Sequence, residues 1–142
     1  MTDPRLARAV IEIQKYYGQR LVGAALFGSR ATPRSRADSD WDVLLVVADD
    51  EPIRRSLYRE WDERLAPRVE ALLPGISPHF VHVPAGEDGP SSLWLEVAMT
   101  HEILSDPTGR LSACLRRIRD LIDAGRFEQR AAHGLAYWRS AR

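Results

Sequence analysis

Residues 28–42 read Gly28-Ser29-Arg30-Ala31-Thr32-Pro33-Arg34-Ser35-Arg36-Ala37-Asp38-Ser39-Asp40-Trp41-Asp42, a polar segment between two apolar runs at 21–27 and 43–47. The second run is Val-Leu-Leu-Val-Val, and five consecutive aliphatic residues predict a strand that is covered on both faces. The first run is rich in small apolar residues and predicts another buried strand, which ends at Gly28. Two buried strands therefore bracket the polar segment.

Both ends of the polar segment carry residues suited to a metal–phosphate ligand. Gly28 lets the backbone turn sharply and approach a ligand closely, and Ser29 is suited to cap a following helix whose free N–H groups attract anions. Asp40 and Asp42 stand two apart at the start of a strand, which predicts carboxylates on one face, about 7 Å apart along the chain. Mg²⁺ prefers such oxygen ligands and shares them with substrate phosphates, so the segment predicts a nucleoside triphosphate site.

The rest of the chain predicts one mixed domain spanning residues 1–142, with a core at about 4–105 and a helical C-terminal extension at about 106–142. Apolar spacing and helix-ending residues predict the following further elements: helices at 4–17, from 49–52 to 74, 91–101, 111–122 and 127–139, and strands at 77–83 and 102–105. The predicted class is α/β of the α+β type, a small mixed sheet flanked by helices.

Composition excludes several classes of protein. No apolar run approaches the length of about 18 residues that a membrane span requires, and the N-terminus lacks a secretory signal pattern. The single cysteine, Cys114, fits a reducing cytoplasm, where we expect the protein to act. Twenty basic residues balance twenty acidic ones, which argues against a uniformly basic nucleic-acid binder. Residues 107–142 nevertheless carry eight arginines against three acids, which leaves RNA contact through this tail open.

The order Gly28-Ser29, ten intervening residues, Asp40-x-Asp42 and an aliphatic strand resembles the signature of the polymerase-beta-type nucleotidyltransferase superfamily, particularly its minimal prokaryotic members. The motif covers about residues 21–48. The resemblance implies Mg²⁺-dependent transfer of a nucleoside monophosphate from an NTP, with ATP as the expected donor, to an acceptor hydroxyl. It also implies that Gly28 and Ser29 bind the β and γ phosphates, that Arg30 reaches the triphosphate, and that Asp40 and Asp42 are the catalytic ligands of a two-metal site.

The resemblance further implies a partner. Small members of this superfamily often pair with a helical HEPN protein in toxin–antitoxin modules and adenylylate it, so a HEPN-like helical protein is the expected acceptor. Modification of a small drug ranks lower, because relatives with that activity carry a helical substrate domain that 142 residues barely accommodate. Arg34 and Arg36 lie in the loop of the motif, either as further triphosphate ligands or as solvated charges.

One departure from the family pattern is important. Active members usually carry a third carboxylate on a neighbouring strand, but the candidate strand, residues 77–83, contains His79 and His82 and no acid. Three alternatives follow: a histidine replaces the acid, one of the acids Glu87, Asp88 and Glu96 reaches the site, or catalysis is lost. The last alternative describes a catalytically impaired binding module or antitoxin that holds an NTP or a partner.

Three tryptophans and the cysteine complete the candidates. Trp61, Trp94 and Trp138 occur at helical spacing with aliphatic residues, which favours packing over base stacking. Cys114 stands beside Leu111 and other aliphatic residues and is expected to be an inert packing thiol. The segment Gly134-Leu135-Ala136-Tyr137-Trp138 resembles one found in some of the small family members, without an assigned chemistry.

Overall fold

The computed structural model describes residues 3–32, 39–85, 89–132 and 135–140. The helices are α1 (Pro4–Tyr17), α2 (Arg55–Glu60), α3 (Ala66–Leu72), α4 (Ser92–Met99) and α5 (Arg110–Asp123), and the strands are β1 (Leu21–Phe27), β2 (Trp41–Val47), β3 (Ile76–Val81), β4 (Glu102–Ser105), β5 (Phe127–Ala132) and β6 (Leu135–Ser140). Among the described helices, none combines the length and apolarity that a membrane span needs.

The described residues form one four-stranded mixed sheet and a separate hairpin. In the sheet the order is β3-β2-β1-β4, with β2 antiparallel to β1 and parallel to β3, and with β4 antiparallel to β1. The hairpin is the antiparallel pair β5–β6. The predicted fold class, a small mixed sheet flanked by helices, is confirmed.

Both faces of β2 are buried. Val43, Leu45 and Val47 pack in the apolar cluster that includes residues of α1, α2 and α3, whereas Leu44 and Val46 pack in the cluster formed with α4 and α5. All five side chains are at most 1% exposed, as predicted for an uninterrupted aliphatic run. Burial of each stabilises the fold by about 1.5–3 kcal/mol, so β2 is a rigid base for the residues at its N-terminal end.

The segment after β2 departs from the prediction. Its first helix begins at Arg55 rather than at residues 49–52, because Glu51 is used in an ion pair with Arg20 instead of capping a helix. A single π-helical turn, Trp61–Leu65, separates α2 from α3. Pro67 explains this turn, since proline has no N–H to donate and its ring would clash with a carbonyl of the preceding turn.

The C-terminal extension is only partly helical. Helix α5 is present as predicted, but the predicted helix at 127–139 is wrong, because this segment forms the hairpin β5–β6. One face of the hairpin packs Phe127 and Trp138 against the cluster beneath α4 and α5. On the other face Glu128 pairs with Arg139 at 3.0 Å. This two-residue alternation of packed and charged positions stabilises strands, and it outweighs the weak helical pattern of the sequence.

The packing predictions for tryptophan and cysteine are confirmed. Trp61 and Trp94 are each 3% exposed and lie within the two apolar clusters, and Trp138 packs at the edge of the second. Cys114 is 2% exposed, and burial raises the pKa of its thiol. A buried thiol held in its protonated form is a poor nucleophile, so the role of Cys114 is to pack in the apolar core.

Candidate nucleotide and metal site

Gly28 meets Asp42 where β1 ends and β2 begins. Gly28 has a φ of +74°, which L side chains rarely adopt, and a Cβ built on it would lie 2.5 Å from Asp42 Oδ2. The neighbouring pair in the ladder is Phe27 with Asp42. The carboxylate therefore occupies space that any side chain at position 28 would take, and both constraints require glycine.

Asp42 also contacts the next strand. Its Oδ1 lies 3.1 Å from His79 Nε2 on β3. The ring of Phe27 meets the imidazole of His79 edge-on, with 4.9 Å between centroids. The side chains of Asp42 and His79 are 31% and 35% exposed, so the pair is open to solvent on one side. The carboxylate thus has one oxygen towards His79 and the other towards Gly28.

Asp40 lies just before β2 and is exposed. Its Oδ1 is 3.7 Å from the place that a Cβ on Gly75 would occupy, beside the backbone bond from Trp41 N to Gly75 O. Within the described ranges, no three His, Cys, Asp or Glu side chains converge as a ready metal centre. The structure thus brings the side chains of Asp42 and His79 into contact. Asp40 lies next to the turn that precedes β3.

The predicted helix after Ser29 is absent. Residues Gly28–Ala31 form a short 3₁₀ turn, and the Ser29 carbonyl accepts hydrogen bonds from Thr32 N at 3.1 Å and Thr32 Oγ1 at 2.7 Å. Thr32 is extended, with φ −116° and ψ 157°. Pro33 follows it in the sequence, and a residue before proline disfavours the helical conformation. Any phosphate at this turn would meet a tight backbone loop, not the start of an α-helix.

Arg30 contacts the far end of the loop that joins β1 to β2. Its guanidinium carbon lies 4.3 Å from the centroid of the Trp41 ring, and its Nε donates to Ser39 O at 3.0 Å. These contacts join the two ends of the loop between β1 and β2. The predicted candidates Arg34, Arg36, Glu87 and Asp88 lie outside the described residues.

A cavity of about 320 Å³ opens between the Gly28–Ser29 turn and α4. Its lining residues are Phe27, Gly28, Ser29, Thr32, Leu93, Glu96 and Thr100. Glu96, one of the predicted candidates for the third acid, is therefore on the wall of this cavity. Its Oε1 accepts from Trp138 Nε1 at 2.7 Å and from Gln129 Nε2 at 3.3 Å, so the C-terminal hairpin holds it.

The two histidines near β3 have separate partners. His82 Nε2 is bonded to the carbonyl of Glu51 at 2.6 Å, and the His82 carbonyl accepts from Trp94 Nε1 at 3.2 Å. His79 alone of the two contacts Asp42. Of the histidine alternatives for the third ligand, the structure thus brings only His79 to the motif.

The arginine-rich tail is partly neutralised by its own ion pairs. Arg110 pairs with Asp49 at 3.3 Å and Arg119 with Asp123 at 3.2 Å, while Glu128 pairs with two further arginines of the hairpin. The expectation of RNA contact through this tail gains no support from the structure.

Solved toxin–antitoxin structures share the fold of this chain. No protein-family model matches the chain, and neither does any curated protein sequence. A solved toxin–antitoxin structure with AMP-PNP matches with a TM-score of 0.57 and 14% identity, over 84% of this chain and 89% of that chain. The chain therefore shares its fold with a protein of this toxin–antitoxin structure. A complex of tri-AMPylated Shewanella oneidensis HEPN toxin with MNT antitoxin also matches, with a TM-score of 0.51, 14% identity and coverage of 84% and 86%.

The sequence did not indicate two residues that contact the wall of the cavity beside α4. Gln129 and Trp138 hold Glu96 at the cavity, although neither carries a motif of its own. The signals in the sequence were a polar donor before Gly134 and an aromatic donor after it, in the stretch that follows Gly125. Glycine indicates a turn, but it does not indicate the element against which the segment packs.

Proposed function

We propose that the chain is a Mg²⁺-dependent nucleotidyltransferase that transfers AMP from ATP to a hydroxyl of a HEPN-like helical partner protein. The observation that carries this proposal is the contact of Gly28 with Asp42, where a carboxylate lies 2.5 Å from the position of a missing Cβ. The backbone turn at Gly28 and the Asp42 carboxylate lie side by side. A metal–phosphate ligand requires this arrangement, because its phosphate binds the turn while its cation binds the carboxylate. The fold shared with a toxin–antitoxin structure holding AMP-PNP supports it.

The donors present fit a divalent cation. Asp42 offers carboxylate oxygens, Asp40 is exposed nearby in sequence, and Mg²⁺ is commonly held by one or two carboxylates while phosphate and water complete its shell. In this proposal Asp40 and Asp42 hold the cation, and Gly28, Ser29 and Arg30 bind the triphosphate. The cation supplies charge stabilisation for the phosphoryl oxygens and the leaving group.

The reaction forms one bond and breaks one bond. The acceptor oxygen bonds to the α-phosphorus, the bond from that phosphorus to the bridging oxygen breaks, and pyrophosphate leaves with the electron pair. The hydroxyl proton passes to solvent. The protein contributes a rigid strand end that fixes Asp42, and a turn at Gly28 with no side chain to displace the carboxylate. We place this activity in the cytoplasm, where nucleoside triphosphates are available.

Label transfer tests the proposal. The purified chain is incubated with α-labelled ATP, Mg²⁺ and a candidate HEPN-like helical protein, and label on that protein is measured. Asp42→Asn should reduce transfer at least a hundredfold, because it removes the charge that holds the cation. The matched control is Asp62→Asn, an exposed acid on the π-helical turn, which should leave transfer unchanged.

A second function has two observations in its favour. β3 carries no acid, and the described residues contain no group of three metal ligands. These facts suit an antitoxin or binding module that holds ATP or its partner without catalysis. Calorimetry that shows ATP binding, combined with no transfer to the partner, would select this second function.

A further inference from the structure

We propose that His79 is a direct ligand of the divalent cation held by Asp42, which strengthens the binding of a first-row transition cation such as Mn²⁺ relative to Mg²⁺. This inference rests on the proposed function, because it concerns the cation that the transfer reaction needs. Three features of the described residues carry it: the spacing of the two donor atoms, the absence of a backbone carbonyl bonded to His79 Nε2, and the chemistry of the donors.

The spacing of His79 and Asp42 suits two ligands of one cation. Octahedral coordination with bonds of about 2.1 Å places neighbouring ligands about 3.0 Å apart. His79 Nε2 and Asp42 Oδ1 are 3.1 Å apart. A cation beside this contact can take both atoms as neighbouring ligands after a rotation of the two side chains and without a movement of either strand, once Nε2 presents its lone pair and the ring proton sits on Nδ1.

His79 differs from the other described histidines in its partners. His82 Nε2 is bonded to the Glu51 carbonyl at 2.6 Å, and His101 Nδ1 to the Val97 carbonyl at 2.8 Å. Apart from Asp42, the His79 nitrogen has only the Ser77 hydroxyl at 3.5 Å. No backbone carbonyl holds this Nε2, so the nitrogen can coordinate a cation.

The His79 ring is held in place for this role. The Phe27 ring packs edge-on against it, and the backbone of His79 pairs with Leu44, which is fully buried. The ring keeps one side open to solvent, with 35% of the side chain exposed. A phosphate oxygen and water can therefore complete the coordination shell from that side.

The chemistry of the donors sets the choice of cation. Mg²⁺ prefers an all-oxygen shell, whereas first-row transition cations accept imidazole nitrogen alongside carboxylate. Glu96 is held away from this role at one oxygen, since Trp138 and Gln129 both donate to its Oε1. A nitrogen on β3 therefore shifts the preference of the site towards Mn²⁺.

Pulsed electron paramagnetic resonance of Mn²⁺ bound to the full chain tests the proposal directly. We expect a nitrogen coupling in the wild-type protein that changes when histidine is labelled with ¹⁵N. His79→Ala should abolish the coupling and weaken Mn²⁺ binding about tenfold, with a smaller effect on Mg²⁺. His79→Asp should bind Mg²⁺ more tightly relative to Mn²⁺ than the wild type does. The matched control is His101→Asn, which should retain the coupling.

The outcomes separate this inference from the proposed function. Mn²⁺ that binds in an Asp42-dependent manner but shows no nitrogen coupling overturns the ligand role of His79 and leaves the proposed transferase intact. Failure of the wild-type protein to bind either cation, with or without ATP, overturns both. Because the coupling is measured first on the unmutated chain, the test holds even where His79→Ala does not fold.

Discussion

Gly28 and Asp42 lie so close across the β1–β2 ladder that a Cβ at position 28 would stand 2.5 Å from Asp42 Oδ2. The sequence separates the two residues by a long polar loop, and the antiparallel pairing of their strands brings them together. Burial of β2 on both faces fixes the position of the carboxylate, and the absence of a side chain at Gly28 leaves room for it. The proposed site is built on this contact.

Gly28→Ala should impair both folding and nucleotide binding. The positive φ disfavours any L side chain by about 1–2 kcal/mol, and the new methyl group would displace the Asp42 carboxylate. We expect ATP affinity in the presence of divalent cation to fall at least tenfold, measured by calorimetry. Gly18→Ala is the matched control, because Gly18 has a φ of +57° and no atom within 4 Å of an added Cβ. Equal ATP affinity in the two variants would contradict the role of the Gly28 contact.

The ion-pair cluster at α2 should make stability depend on pH. Two hydrogen bonds from Arg20, at 2.8 and 2.9 Å, lower the pKa of Glu60 from 4.5 to about 2. A lowered folded-state pKa means that the stabilisation is complete above the unfolded value and is lost as pH falls through the folded value. Glu60→Gln should therefore cost about 2 kcal/mol in urea unfolding at pH 7. The difference from wild type should shrink as pH falls from 4.5 towards 2, and a difference independent of pH would refute this assignment.

Trp138→Phe should loosen the C-terminal hairpin. The change keeps an aromatic ring in the cluster but removes the indole N–H that donates to Glu96 at 2.7 Å. We expect a loss of about 1–2 kcal/mol, because the acceptor is charged, and faster amide hydrogen exchange in β5 and β6. Tyr137→Phe, at an exposed neighbouring position, should change neither. Unchanged exchange in the Trp138 variant would mean that Glu96 does not anchor the hairpin.

The central strands were predictable because their signals are local. Five aliphatic residues after Asp42 predict a strand buried on both faces, and the structure has this strand. Gly28 likewise predicted the turn that ends β1. The expected helix cap at Ser29 failed because Pro33 constrains the residue before it, a rule that concerns a position four residues later.

The partners of the site were not predictable in the same way. Whether His79 or His82 approaches Asp42 depends on the pairing of β2 with β3, and this long-range register has no signature in either strand alone. The hairpin at 127–139 likewise depends on packing against α4. Local propensity at these positions is weak, so tertiary contacts decide the structure.

Mass spectrometry of the partner protein tests the central claim most directly. The wild-type chain, ATP, divalent cation and the candidate HEPN-like helical protein are mixed, and the intact mass of that protein is recorded. The proposed function predicts a mass increase of one or more AMP groups that appears with wild type and with Asp62→Asn, and is absent with Asp42→Asn. An unmodified partner with every variant, although wild-type protein binds both ATP and partner, would contradict the transferase and show a binding module instead.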